Sequence, residues 1–360
     1  MPRPIRATID LPAFRHNYLR AKALAPAAKA WAVVKANAYG HGLVRCAQAI
    51  ADVADGYAML DFAEAVALRE AGFKQPLLML EGAFDSADTR MAGALGVSLA
   101  VHEAEQIRML ETEPLERPVD VFLKLNTGMN RLGFAPEQAG ALSARLKAAR
   151  NVASVTLMTH FARADDETGI AGQLARFDAA AASLGLPHSI ANSAALLRFP
   201  EAARDGVRPG IMLYGGSPMP DLKSAASLDL RPAMHLESRL IAVQQIEAGE
   251  AVGYGARFVA EKPTRVGIVA CGYADGYPRH ALTGTPILVD GQRTRTLGRV
   301  SMDMLACDLT DLPNAAVGSE VVLWGRGLPA DEVASAAGTI SYELFCALAN
   351  RVPVSVIGAA

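Results

Sequence analysis

Lys35 is the residue whose placement most calls for a chemical explanation. It ends the apolar run WAVVK (31–35) and is followed by ANAYGHG. Trp31, Val33 and Lys35 alternate onto one face of a strand, and Ala32 and Val34 onto the other. The spacing therefore predicts an amine at a strand's C-terminal end, aimed the same way as two apolar side chains. Apolar surroundings disfavour the ammonium form, and an amine poised to lose its proton suits Schiff-base chemistry. The strand by itself also accommodates a surface lysine whose stem lies along apolar neighbours.

The other apolar runs close on polar residues as well: Asp61, Glu81, His102, Lys124, His160, Asn192 and Arg208. The runs fall at 31–35, 56–60, 76–80, 96–101, 119–125, 155–159, 188–191 and 207–213, separated by alanine-rich stretches with helical character. Eight strands alternating with helices indicate a (β/α)8 barrel over residues 1–230, whose mouth would collect the polar strand ends. Asp10 is placed to cap a helix that carries Pro12 in its first turn and ends near Leu24. Asp61 with Glu64 forms a capping-box pattern ahead of a helix stopped at Gly72, so Asp61 is expected to be a cap. After Arg231 the pattern changes. Runs at 236–246, 251–260, 265–273, 286–295, 301–309 and 320–324 read as strands without regular helices between them, and Asp290-Gly291 is a hairpin turn. Residues 231–360 are thus expected to form a mainly β C-terminal domain, joined through the polar stretch 221–229 and Pro232.

Composition narrows the function. The 360 residues are 51% hydrophobic and 20% charged, enough to bury a sizeable core. A net charge of -2 with no basic run argues against nucleic acid and against anionic membrane surfaces. Cys46, Cys271, Cys307 and Cys346 are dispersed without metal-like pairing and read as free thiols of a reducing compartment, so no metal is expected. The N-terminus has no apolar signal core and no run approaches a membrane span, which predicts a cytoplasmic protein.

The string AVVKANAYGHG over 32–42 closely resembles the pyridoxal-phosphate lysine motif of alanine racemases. The resemblance implies that Lys35 carries pyridoxal 5'-phosphate and that Tyr39 binds its phosphate. A phosphate wants hydroxyls and free backbone N–H groups. Asn192 and Ser193 offer a hydroxyl cap at the start of a short helix, Gly210 and Ile211 offer amides, and Tyr342 offers a second phenol. Arg208, in VRPGIMLYG, matches the arginine that faces the pyridine nitrogen in this family. A guanidinium effectively never releases its proton, so it hydrogen-bonds that nitrogen without protonating it and leaves the ring a weaker electron sink. Such a ring favours return of the proton over transamination or decarboxylation.

Racemisation requires proton removal on one face of Cα and delivery on the other, hence two bases. The resemblance implies Lys35 as one and Tyr254, in AVGYGARF, as the other, with His160 and then Arg208 lined up behind the tyrosine. It assigns the alanine carboxylate to Arg131, in LNTGMNRLGF, and to the backbone N–H of Met302, in RVSMDM. Lys124 shares a strand face with Phe122 and Asn126 and matches a lysine that many members carry as a carbamate. The match runs from 7–10 to 341–343 in the expected order. It further implies a head-to-tail homodimer in which Tyr254 of one chain reaches the cofactor of the other. A role in D-alanine supply for peptidoglycan and a catabolic role both remain open, as does turnover of serine.

Two positions depart from the family pattern. Ser301 stands where many members have cysteine, and Ser189 where some have a histidine that supports the pyridine-side arginine, which leaves the support of Arg208 open. Two rival readings are a decarboxylase of the same two-domain plan and a cofactor-binding barrel without turnover. The first would be expected to set an acidic residue, not Arg208, at the pyridine nitrogen. The second would lack the β domain and Tyr254.

Overall fold

The computed structural model describes residues 3–358. Asp10 accepts the Ala13 N–H at 2.9 Å and caps the helix Leu11–Leu24, where Pro12 gives up an amide that no intrahelical bond would use. Ahead of it lies β1 (Arg6–Asp10). Eight parallel strands then close a barrel: β2 (Lys29–Val33), β3 (Gly56–Met59), β4 (Leu77–Met79), β5 (Val97–Val101), β6 (Val119–Lys124), β7 (Val152–Met158), β8 (His188–Ala191) and β9 (Gly206–Val207). Helices cover the barrel's outer face, so β3, β4 and β5 are buried along their whole length and need no polar alternation.

Two strand ends differ from the expected pattern. β2 stops at Val33, so Lys35 is not a strand residue; it begins the turn Lys35–Tyr39. Ala36, Asn37, Ala38 and Tyr39 all have φ near +50°, a left-handed turn built without glycine. Each such residue costs about 1–2 kcal/mol, so the surroundings must hold the turn in place. Glu64 does so by accepting the Asn37 N–H at 2.9 Å, and the Asn37 side chain accepts the Leu43 N–H at 2.9 Å. Glu64 therefore serves the lysine turn and does not reach back to its own helix cap, which Asp61 alone provides by accepting from Ala63. The second departure is the run 207–213. Only Gly206–Val207 pairs as strand, because Pro209 has no amide and the chain turns at Gly210 into the 3-10 turn Ile211–Tyr214.

Beyond the barrel lie β10 (Met234–Ile246), β11 (Ala251–Val252), β12 (Phe258–Val259), β13 (Thr264–Val269), β14 (Pro286–Val289), β15 (Gln292–Leu297), β16 (Leu305–Asp308), β17 (Glu320–Trp324) and β18 (Val354–Ile357). The main sheet runs β13-β16-β15-β14-β17-β10-β1-β18, with β10 also pairing β13, while β11 and β12 form a separate ribbon. β1 sits between β10 and β18, so the first described residues belong to this second sheet. Asp290 and Gly291, both at positive φ, make the expected hairpin between β14 and β15. The runs expected at 251–260, 265–273 and 301–309 are shorter as strands. A 3-10 turn, Tyr254–Ala256, interrupts the first, and the loop around Met302 precedes β16.

The helix Ser341–Cys346 brings this second region against the barrel mouth. A Cβ at Gly40 would lie 2.3 Å from the Phe345 carbonyl, so only glycine permits the contact. Among the described residues no helix is long and apolar enough to cross a membrane.

Candidate active site

A cavity of about 520 Å³ opens at the C-terminal ends of the barrel strands. Lys35, Tyr39, Lys124, Arg131, His160, Asn192, Ser193, Arg208, Gly210, Ile211 and Tyr342 all line it. Glu81 does too, whereas Asp61 caps its helix and His102 bonds the Glu81 carbonyl at 3.0 Å. Tyr254 and Met302 do not line the cavity. They stand 71% and 52% exposed on the β region.

At one end of the cavity, neutral donors converge. The left-handed turn throws Tyr39 back into the mouth, where a Cβ on Gly210 would come 3.0 Å from its hydroxyl and 3.9 Å from that of Ser193. The cap of the helix Ser193–Arg198 is Asn192, which accepts the Ala195 N–H at 3.0 Å; Ser193 was expected to share that role. Relieved of it, Ser193 accepts the Gly210 N–H at 2.8 Å and keeps its own O–H to give. The Ile211 N–H and the hydroxyls of Tyr39 and Tyr342 make no hydrogen bonds among the described residues. Phenols, a hydroxyl and the open Ile211 amide around the space beside Gly210 suit a phosphate ester, while the Gly210 amide is taken by Ser193.

The rest of the lining carries several cationic side chains. Arg208, 5% exposed, donates to Thr159 and Ser189; burial pushes it down to about 10, so it stays protonated at neutral pH. His160 is pushed down to about 3 by burial and by Arg208, and is therefore neutral, with Nε2 3.4 Å from Asn192 Nδ2. No hydrogen bond joins His160 to Arg208: Nη1 and Nη2 of Arg208 go to main-chain and hydroxyl oxygens, and its Nε–H makes no bond among the described residues. Burial, with Arg208 and Arg131 nearby, lowers Lys124 to about 8. Burial also lowers Lys35, with Glu81 opposing and Arg131 assisting. Two amines are thus held closer to neutrality than exposed lysines. Arg131 is carried by a loop that Asn126 folds, accepting from Gly128 at 3.1 Å and Asn130 at 3.0 Å.

Models of two protein domains cover the chain almost entirely: the alanine racemase N-terminal domain at residues 9–218 and the alanine racemase C-terminal domain at 233–356. The chain belongs to the alanine racemase family. Alanine racemase from Laribacter hongkongensis is 56% identical over 360 residues, covering all of both chains. Among solved structures, the biosynthetic alanine racemase from Pseudomonas aeruginosa is 48% identical, with a TM-score of 0.96 over 99% of each chain. The alanine racemase from Bartonella henselae, described with covalently bound pyridoxal phosphate, is 26% identical with a TM-score of 0.88, over 99% of this chain and 100% of that one. At this likeness the protein is an amino-acid racemase, an isomerase acting on alanine.

Three residues in or behind the cavity stand out among those that sequence reasoning passed over. Cys346 and Ile340 line the cavity from the C-terminal helix region, and Tyr214 lies stacked beneath Tyr39 with ring centroids 4.6 Å apart. Tyr214 stands inside VRPGIMLYG, so a signal was present in its nearness to Gly210; the two others have no pattern that points to them.

Proposed function

We propose that the protein interconverts L-alanine and D-alanine with pyridoxal 5'-phosphate held on Lys35, using Lys35 and Tyr254 as the two bases. The observation that carries this reading is the meeting in one cavity of an amine of lowered pKa with a neutral phosphate cradle. The cofactor fits that cradle chemically, and the Bartonella henselae relative is described with it covalently bound. When bound, pyridoxal phosphate supplies a carbonyl carbon that joins amines and a ring that withdraws electrons from the neighbouring C–H.

Tyr39, Ser193, Tyr342 and the Ile211 amide would hold the phosphate, with the Gly210 N–H, expected from the sequence to serve the phosphate itself, orienting the Ser193 hydroxyl, and Asn192 fixing the turn behind them. Arg208 would donate to the pyridine nitrogen, and as a permanent cation it would not transfer a proton to it. Arg131 and the Met302 N–H would receive the substrate carboxylate, and Lys124 as a carbamate would set a negative charge beside Arg131. Lys35 Nζ takes or returns the α-proton on one face and Tyr254 Oη does so on the other. Since Tyr254 and Met302 stand away from the cavity of their own chain, they would serve the cavity of a second copy in a homodimer. A cytoplasmic location belongs to the same reading.

The test is an assay of purified protein with pyridoxal phosphate against single-enantiomer amino acids, with borohydride trapping in parallel. Loss of optical activity with alanine and a reduced adduct on Lys35 are expected. An adduct on another lysine, or persistence of one in Lys35→Ala, would contradict the assignment.

A further inference from the structure

In a parallel ladder each residue gives its N–H to one carbonyl of the neighbouring strand and takes, on its own carbonyl, the N–H two residues further along. Val33 N donates to the Pro209 carbonyl at 3.0 Å, so continuation of the ladder would bring the Ile211 N–H onto the Val33 carbonyl. It does not arrive there. The Tyr214 hydroxyl occupies the Val33 carbonyl at 2.8 Å instead, and the Ile211 N–H is left without a partner among the described residues. Tyr214 is fully buried, and burial drives its pKa well above the ordinary phenol value, so it remains a donor. Its ring stacks on that of Tyr39 at 20°, and the rings of His41 and Phe14 also pack against it, at 4.7 and 5.4 Å between centroids.

We propose that Tyr214 is a positioning residue for the cofactor phosphate: its hydroxyl keeps the Ile211 N–H out of the strand ladder and open to an anion, while its ring sets the height of Tyr39. A single side chain thereby ties the end of β2, two residues before Lys35, to both halves of the phosphate cradle. Tyr214 touches no reacting atom. The inference rests on the reading of the cavity as a pyridoxal phosphate site.

Tyr214→Phe keeps the stacked ring and removes only the hydroxyl, freeing the Val33 carbonyl for Ile211. The test titrates apoprotein with pyridoxal phosphate and, separately, with pyridoxal, which has the aldehyde and lacks the phosphate. Tyr214→Phe should weaken pyridoxal phosphate about tenfold, as loss of one hydrogen bond to a charged group would, and leave pyridoxal unchanged. In nitrogen-labelled apoprotein the Ile211 amide should exchange with solvent more slowly in the variant than in the wild type. Equal weakening of both compounds, or no change in either, overturns the inference while leaving the cofactor assignment standing. Failure of the wild type to form a lysine adduct with either compound overturns the cofactor assignment and this inference with it.

Discussion

Arg208 meets Ser189 twice, with one guanidinium nitrogen 2.6 Å from the serine hydroxyl and 2.5 Å from its carbonyl. Ser189 is fully buried, and the third bond of Arg208 goes to the Thr159 carbonyl at 2.6 Å. A cation this deeply buried has only neutral acceptors around it, so each one matters. This pairing answers what holds Arg208, which the sequence left open. Ser189→Ala removes one charge-assisted bond and should lower stability by about 1.5–3 kcal/mol, read as a shift of the urea midpoint at constant slope. Turnover should fall as well, because the guanidinium is freer to leave the position from which, in the proposed mechanism, it donates to the pyridine nitrogen. An unmoved midpoint would show that the serine hydroxyl does not hold the arginine.

Lys124 is 8% exposed and lowered to about 8, with two guanidiniums among its neighbours. A neutral amine can take up carbon dioxide, and the resulting carbamate would be favoured between Arg208 and Arg131. Isotope-labelled bicarbonate should give one carbamate resonance that is missing in Lys124→Ala. Labelling should weaken as the pH drops below about 8, where the amine becomes protonated. The variant should lose activity and regain part of it with a small added carboxylate. Full activity of Lys124→Ala without additive would leave the carbamate no role.

His41 is 1% exposed, donates Nδ1–H to the Tyr39 carbonyl at 2.9 Å, and has no partner for Nε2. Burial lowers it to about 4, while an unfolded imidazole titrates near roughly 6.5. The unfolded chain therefore binds more protons between these values, so the contribution is fully present above about 6.5 and is lost as the pH falls toward and through the folded value. His160 carries the same sign. Urea-derived stability of the apoprotein should decline from about pH 7 to about pH 5, and His41→Asn, which can keep a donor toward Tyr39, should decline less steeply. Parallel curves for the two proteins would mean that His41 is not the source.

Much of this was legible in the chain. Eight apolar runs with polar ends indicated a barrel because strand periodicity and burial are local properties of the sequence, and Asp290-Gly291 fixed a hairpin through its own backbone preference. The lysine turn was not legible, since four left-handed residues without glycine depend on hydrogen bonds such as that from Asn37 to the distant Glu64. Nor was β1's place in the second sheet, which depends on partners more than two hundred residues away. Tyr214 escaped notice for a similar reason. Its role comes from a hydrogen bond to Val33 that no spacing announces.

In the proposed homodimer the two bases belong to different chains, with Lys35 in the cavity and Tyr254 71% exposed outside it. The decisive experiment mixes Lys35→Ala protein with Tyr254→Phe protein under conditions that exchange subunits. Each preparation alone should be inactive. A heterodimer holds one site with both defects and one that joins an intact Lys35 to an intact Tyr254. Random exchange of equal amounts makes about half of the dimers mixed, so about a quarter of all sites should be intact. Alanine racemisation should therefore appear on mixing, at about a quarter of the wild-type rate per site. No recovery, once mass measurement has verified that subunits exchanged, would contradict the shared site and place both bases within one chain.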